Sequence, residues 1–430
     1  MRDLWIVFRV EWMKLLARKR LWVTIGLALV FVAGLVLMSS AGAAFSIEED
    51  KEMLEEMKSQ VTQIEQEIAH STDPKERTSL ELELVSMQES ITEMEKQIKY
   101  SQEMQTGDWR KAITEQLNEA KNIPKEVQEQ IQSQPSIIQK QEAALRQQEI
   151  LSLQYLLDQD QRPLDPRYAF SSPYVMLGEI SSLIILAVLP LLVVLLVADF
   201  ISGETTSGTI KLLLVRPISR WKIFIGKWLV SLVATLLLSV GFVVTTILGV
   251  LSVNGTAGAD EPMFVNVPQT YEKIPANELK SIPPEERQGD QILIPDFTKA
   301  DIIPMSQYVW MTYGLACLTM LVVASFTILC SSLFKSAMVS TAVALVVNMF
   351  SFVAIFIFAN PVFDDGSGNK YFAWLYSYHL DIGKYWSSYI TNGTIFELSF
   401  FTGSLILGLW LVGSLLLGGY YFHRKDVLNA

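Results

Sequence analysis

The chain has 430 residues, half of them hydrophobic and only 18% charged, with a positive mean hydropathy of +0.30. That composition makes a membrane protein the first class to test. Its net charge of −11 and lack of a basic groove argue against a nucleic-acid binder. Its two cysteines (Cys317, Cys330) and three scattered histidines (His70, His379, His423) offer neither a disulfide framework nor a metal-ligand set.

Residues 1–20 read as an amphipathic interfacial helix. Apolar and charged residues share its turns, with Arg9, Glu11, Trp12 and Lys14 as its candidate contacts. Tryptophans suit the headgroup level and basic side chains suit an anionic leaflet. Two roles stay open, a membrane anchor and a surface that also touches a cytoplasmic partner. The basic start, an apolar run and Ala41-Gly-Ala43 also mimic a secretory leader. The run Leu21–Met38 is longer than the ~7–15 apolar residues of such a leader, so a first transmembrane helix (21–45) is expected instead.

A bilayer crossing needs about 18–20 apolar residues. Six windows qualify: Leu21–Ser40, Ile180–Val197, Trp228–Leu251, Tyr308–Leu329, Ala337–Ala359 and Phe400–Tyr421. Lys and Arg gather before the first window, between the second and third, between the fourth and fifth, and after the sixth. The positive-inside bias then puts those segments and both termini in the cytoplasm. The expected fold is thus an all-α polytopic membrane protein with six transmembrane helices, in the plasma membrane of a bacterial cell. An extracellular α-helical coiled-coil insertion is expected between helices 1 and 2.

That insertion, 46–175, carries sixteen acidic against six basic residues between positions 47 and 107. Leu54, Met57, Val61, Ile64 and Ile68 step by three and four; after Asp73-Pro74 the pattern returns at Leu80, Leu84, Met87, Ile91, Met94 and Ile98. Two such seams predict an antiparallel helical hairpin. A weaker pair is expected over Asp108–Asn122 and Lys125–Leu157, interrupted at Pro124 and Pro135. A passive stalk, a dimer contact, cargo capture and an envelope protein bound through 46–160 all remain open for it.

Residues 176–430 hold the other five helices. Pro190 predicts a kink in the second, and Gly403, Gly408, Gly413 and Gly418 predict close packing along the sixth. A proton relay is not expected, because Glu179 and Asp199 lie at span ends rather than mid-membrane. The outer loop 252–307 reads as an irregular cap. The outer loop 360–399 concentrates aromatics, with Tyr371, Trp374, Tyr378 and Trp386 as the candidates for closing a pore. An interfacial aromatic belt is the competing reading.

The stretch 199–222 between spans two and three is the chain's most distinctive segment. Asp199 and Glu204 come early; Lys211, Arg216, Arg220 and Lys222 follow; Gly203 and Gly208 allow tight turns, and Pro217 ends the helix expected over Thr209–Val215. It is no nucleotide loop, since Thr209 follows the second glycine where a phosphate-binding Lys is required. No catalytic constellation appears elsewhere, so an enzyme is not expected.

Residues 201–220, ISGETTSGTIKLLLVRPISR, followed by Lys222-Ile-Phe-Ile-Gly-Lys227, resemble the cytoplasmic loop of ABC-2 type transporter permeases. The acidic residue, Gly, Glu, Gly-Thr, leucine run and Pro-x-Ser-Arg ending match closely; the N-terminal segment and aromatic loop match more loosely, and the outer insertion lies outside the resemblance. It implies a permease with no cofactor of its own, paired with a second permease copy and driven by a separate ATPase that holds ATP and Mg. It further implies an ATPase-coupling element built from Gly203, Glu204, Gly208, Thr209, Lys211, Leu213, Arg216, Pro217 and Arg220, with Glu204 in a groove of the ATPase. The expected activity is export of a peptide antibiotic, lipid or small hydrophobe. The alternative is a signalling or mechanotransmitting subunit whose arm acts on an envelope partner.

Overall fold

The computed structural model describes residues 2–41, 47–70, 74–106, 108–122, 136–164, 172–209, 218–283, 287, 289–358, 374–390 and 399–424. The described residues are mostly helical, at 77%. Among them five helices are long and apolar enough to cross a membrane: Lys19–Ser40, Ser181–Thr206, Arg220–Asn254, Met305–Leu333 and Phe400–Arg424. The remaining predicted crossing coincides with a helix, Ala337–Phe358. Its stretch Ala337–Phe350 stands among the shorter apolar helices.

The second crossing packs deep in the bundle, where Leu189, Leu192, Val193, Val194 and Val197 are fully buried. At Pro190 the expected kink takes the form of a wide turn: residues Ile184–Val188 are π-helical, and Leu189 N–H bonds the Ile184 carbonyl five residues back. Proline supplies no N–H to the ladder, and the wider turn absorbs the missing bond. Of the four glycines expected to pack the last crossing, two do. A Cβ on Gly403 would lie 2.9 Å from the Tyr385 ring and one on Gly418 2.8 Å from the Phe224 ring, whereas Gly408 and Gly413 face open space.

The insertion begins as two helices, Ile47–His70 and Pro74–Thr106, which bury Leu54, Ile64 and Ile98. Lys58 of the first reaches Glu95 of the second at 3.0 Å. The second pair is Trp109–Lys121 and Ile137–Asp158, joined through Ile113, Leu117 and Leu153. Ser136 and Gln139 form a capping box at the start of the latter. Positions 123–135, with Pro124 and Pro135, lie outside the described residues.

The cap is not irregular, as the sequence suggested. Strand β1 (Pro262–Val265) pairs antiparallel with β4 (Asp301–Pro304), with Phe264 opposite Ile302. Strand β2 (Val267–Lys273) lies between antiparallel β3 (Gln291–Pro295) and parallel β5 (Ser388–Ile390). These strands are three to seven residues long, and none strictly alternates apolar and polar residues, so no period of two is visible. β5 comes from the aromatic loop, so the pairing is invisible to any local pattern. Ile137 packs with Ile274, Ile282 and Ile292, and its N–H bonds Glu278 at 2.9 Å. The insertion and cap are therefore one unit.

Within the cap, Glu261 accepts a 2.6 Å bond from the Leu164 N–H. Burial raises its pKa above the ordinary 4.5, with Asp260 adding to the rise and the Leu164 N–H opposing it. A carboxyl with a raised folded pKa contributes stability that is full below 4.5 and is lost as the pH climbs through the raised value. Glu261→Gln should therefore melt with wild type near pH 4 and gain on it toward pH 8. A melting difference independent of pH would contradict this origin.

Candidate functional site

The end of the bundle opposite the cap is organised by an elbow, Ala198–Thr206. Its backbone would leave polar groups unpaired in an apolar setting, a cost of several kcal/mol each in hydrocarbon. Neighbouring hydroxyls meet that need. Ser331 Oγ accepts the Ile201 and Ser202 N–H groups, both at 3.0 Å. Ser340 Oγ donates to the Ala198 carbonyl at 2.8 Å. Thr206 Oγ1 donates to the Lys335 carbonyl and accepts the Ala337 N–H. The elbow is thus fixed to the corner between helices Met305–Leu333 and Ala337–Phe358.

Four ionised side chains meet beneath it. Lys227 Nζ lies 2.6 Å from Glu11 Oε2 and 2.8 Å from Glu204 Oε2. The hydrogen bond goes to Glu11; the approach to Glu204 Oε2 is a charge contact outside hydrogen-bond angles. Lys14 Nζ closes the square, 2.8 Å from Glu11 Oε1 and 2.9 Å from Glu204 Oε1. Glu11, Glu204 and Lys227 are 3%, 5% and 0% exposed. Burial acts to lower the pKa of Lys14, but its contacts with Glu11 and Glu204 outweigh burial and hold it above 10.5. A second layer surrounds the square: Asp199 takes Arg18 at 3.1 Å and Arg20 at 3.3 Å, and Arg18 lies over the Phe200 ring.

Two charges of each sign make the square neutral, which is what allows it to be buried. Helix α1 (Arg2–Ala17), the elbow and the helix Arg220–Asn254 each contribute to it. Separating any one of them would pull opposite charges apart in a low dielectric, so the three move as one body. Arg18, Lys19 and Arg20 line a cleft of about 500 Å³ beside the square, with Thr209 at its rim.

The residues singled out from sequence are distributed as follows. Glu11, Lys14 and Glu204 converge. Gly203 packs on Asp199, Gly208 has the left-handed φ of +73°, and Thr209 Oγ1 contacts Ser207 Oγ at 2.9 Å. Arg220 donates to the His423 carbonyl at 2.9 Å. Lys211, Leu213, Arg216 and Pro217 lie outside the described residues. Arg9 is exposed, and Trp12 lines an apolar groove of about 350 Å³ between helices Lys19–Ala41 and Arg220–Asn254. Glu204, expected to meet the ATPase, turns its carboxylate onto Lys14 and Lys227 within this chain. Lys227 was missed as a site residue. Its signal was a lone cation at the start of an apolar run, which needs a partner before it can be buried.

The aromatic candidates divide. Tyr378 is buried, and its carbonyl accepts the Tyr385 hydroxyl at 3.2 Å. Trp386 stacks on Tyr308 with ring centres 6.2 Å apart. Trp374 is 56% exposed, with its carbonyl bonded by the Trp410 indole at 2.8 Å. Tyr371 lies outside the described residues.

A bundle of apolar crossing helices, with a charge-locked elbow at one end and an aromatic segment under a folded cap at the other, defines a multi-pass membrane protein. Across residues 5–427 the chain matches the family described as ABC-2 family transporter protein, and it belongs to that family. No curated protein sequence matches it significantly.

Proposed function

We propose that the chain is the permease of an ATP-driven exporter, oriented with its elbow in the cytoplasm and its cap outside the plasma membrane. A separate ATPase, carrying ATP and Mg, docks on residues 199–222, and a second permease copy completes the pore. The cargo is apolar or amphipathic. The observation that carries this reading is the charge square of Glu11, Lys14, Glu204 and Lys227, with all but Lys14 buried. It ties the loop's anchor to two other helices, as a part that receives a push must be tied. In this reading Glu204 transmits the push, and the loop that continues from Thr209 receives it.

The test must therefore spare Glu204, whose replacement would collapse the square. Lys211→Glu with Arg216→Glu should abolish co-purification of the ATPase while the permease still inserts and runs as a single species. Undiminished association would remove the docking role from this loop.

A signalling or mechanotransmitting subunit is supported by one observation, that the insertion is fastened to the cap through Ile137 and the cap to the aromatic segment through β5. Motion of the bundle would then reach the arm. Removing only residues 47–106 separates the readings, because Ile137–Asp158 is part of the cap. Export that survives this deletion marks the hairpin as accessory; loss of an envelope response with export intact marks it as the output arm.

A further inference from the structure

The square is neutral, but the cleft of about 500 Å³ beside it is not. Lys14 and Glu204 border the cleft, and their charges cancel within the square. Arg18, Lys19 and Arg20 line the rest of it with a single carboxylate, Asp199. Three cations against one anion leave an excess of positive charge. Asp199 holds the two arginines in place, Arg18 Nη1 at 3.1 Å and Arg20 Nη1 at 3.3 Å, and Arg20 Nη2 donates to Thr341 Oγ1 at 3.0 Å. A guanidinium carries five N–H donors, so each keeps donors to spare. Lys19 is exposed and forms no ion pair among the described residues. Arginine forks fit the oxygens of a phosphate, and the Ser207 and Thr209 hydroxyls, 2.9 Å apart, stand at the same cleft.

The helix that carries Lys19 says which phosphate. Lys19, Trp22, Val23, Gly26 and Val30 share one face of helix Lys19–Ala41. Trp22, Val23 and Val30 are 63%, 68% and 67% exposed, and a Cβ on Gly26 would meet nothing within 4 Å. The Trp22 indole is tied to the Leu16 carbonyl at 3.3 Å, at the start of a crossing helix, where tryptophan marks the headgroup level. A soluble phosphate would use the cations alone. A phospholipid uses the cations and the apolar face below them.

We propose that this cleft binds the phosphate of one anionic phospholipid of the cytoplasmic leaflet, with Arg18, Lys19 and Arg20 as donors and an acyl chain along Trp22, Val23 and Val30. Only the choice of leaflet rests on the orientation in the exporter reading. The bound anion offsets the charge left over beside the square and steadies the junction between helix α1 and the first crossing.

The test is thermal unfolding of the full-length permease, delipidated in mild detergent and without its ATPase. The probes are phosphatidylglycerol and phosphatidylcholine with the same acyl chains, and inorganic phosphate at an ionic strength matched with chloride. Wild type should reach half its maximal rise in melting temperature at a mole fraction of phosphatidylglycerol about tenfold lower than of phosphatidylcholine, an ordinary gain for basic side chains at a headgroup. Lys19→Glu, at an exposed position, should erase the preference and Lys19→Arg should keep it. Arg2→Gln, which removes an exposed cation outside the cleft, should leave it unchanged. Equal action of the two lipids on wild type, a preference that survives Lys19→Glu, or an equal loss in Arg2→Gln overturns the proposal. Stabilisation by inorganic phosphate that matches phosphatidylglycerol also overturns it, in favour of a soluble phosphate. Neither the ATPase nor orientation enters this measurement, so a failure of the exporter reading would appear only in the ATPase association assay.

Discussion

Lys227→Met is expected to destabilise the protein by about 3–5 kcal/mol, the range for removing one partner from a buried ion pair. The side chain is fully buried between Glu11 and Glu204. Without it two carboxylates share a closed space with Lys14 between them and Arg18 4.0 Å from Glu204. Methionine fills similar volume, so the loss reports charge rather than a cavity. The double variant Lys227→Met with Glu204→Gln leaves the Glu11–Lys14 pair balanced and should recover much of the loss. Thermal unfolding in one mild detergent reads both variants. A single variant that melts like wild type would mean the square is not a structural lock, and an additive double variant would mean its members are not coupled.

Gly226→Val should act at the neighbouring position by a different mechanism. A Cβ at Gly226 would lie 2.5 Å from Val7 Cγ1 and 3.1 Å from Val7 Cβ. Valine is stiff at χ1 and cannot swing clear, so helix α1 must lift from the helix Arg220–Asn254. Overpacking of this kind costs about 1–3 kcal/mol, and here it also stretches the Glu11–Lys227 contact. Val7→Ala on the same background should relieve the clash. The readouts are melting temperature and ATPase association, and both should fall in Gly226→Val and rise again in the double variant. A harmless Gly226→Val would show that α1 sits loosely on the bundle.

The two ends of the protein were unequally legible in its sequence. Long apolar runs are local, and each crossing helix follows from its own residues. So does the hairpin, because Leu54, Ile64 and Ile98 carry a helical period that needs no knowledge of the rest. Glu204 and Glu11 could each be picked out, but not that they meet, since the pairing runs through Lys227 and depends on the elbow folding back. The cap failed for the same reason, as strand β5 lies far along the chain from the strand it joins. Charge and periodicity report elements; the partners of a buried charge are a property of the assembled fold.

The central claim is that this chain is driven by a separate ATPase. Its most direct test is to tag the protein at its C-terminus, extract it gently from its native host and identify what co-purifies by mass spectrometry. A soluble P-loop ATPase in stoichiometric amount is the predicted result, alongside a second copy of this chain or a different permease. Recovery of the protein alone across several mild detergents would contradict the claim.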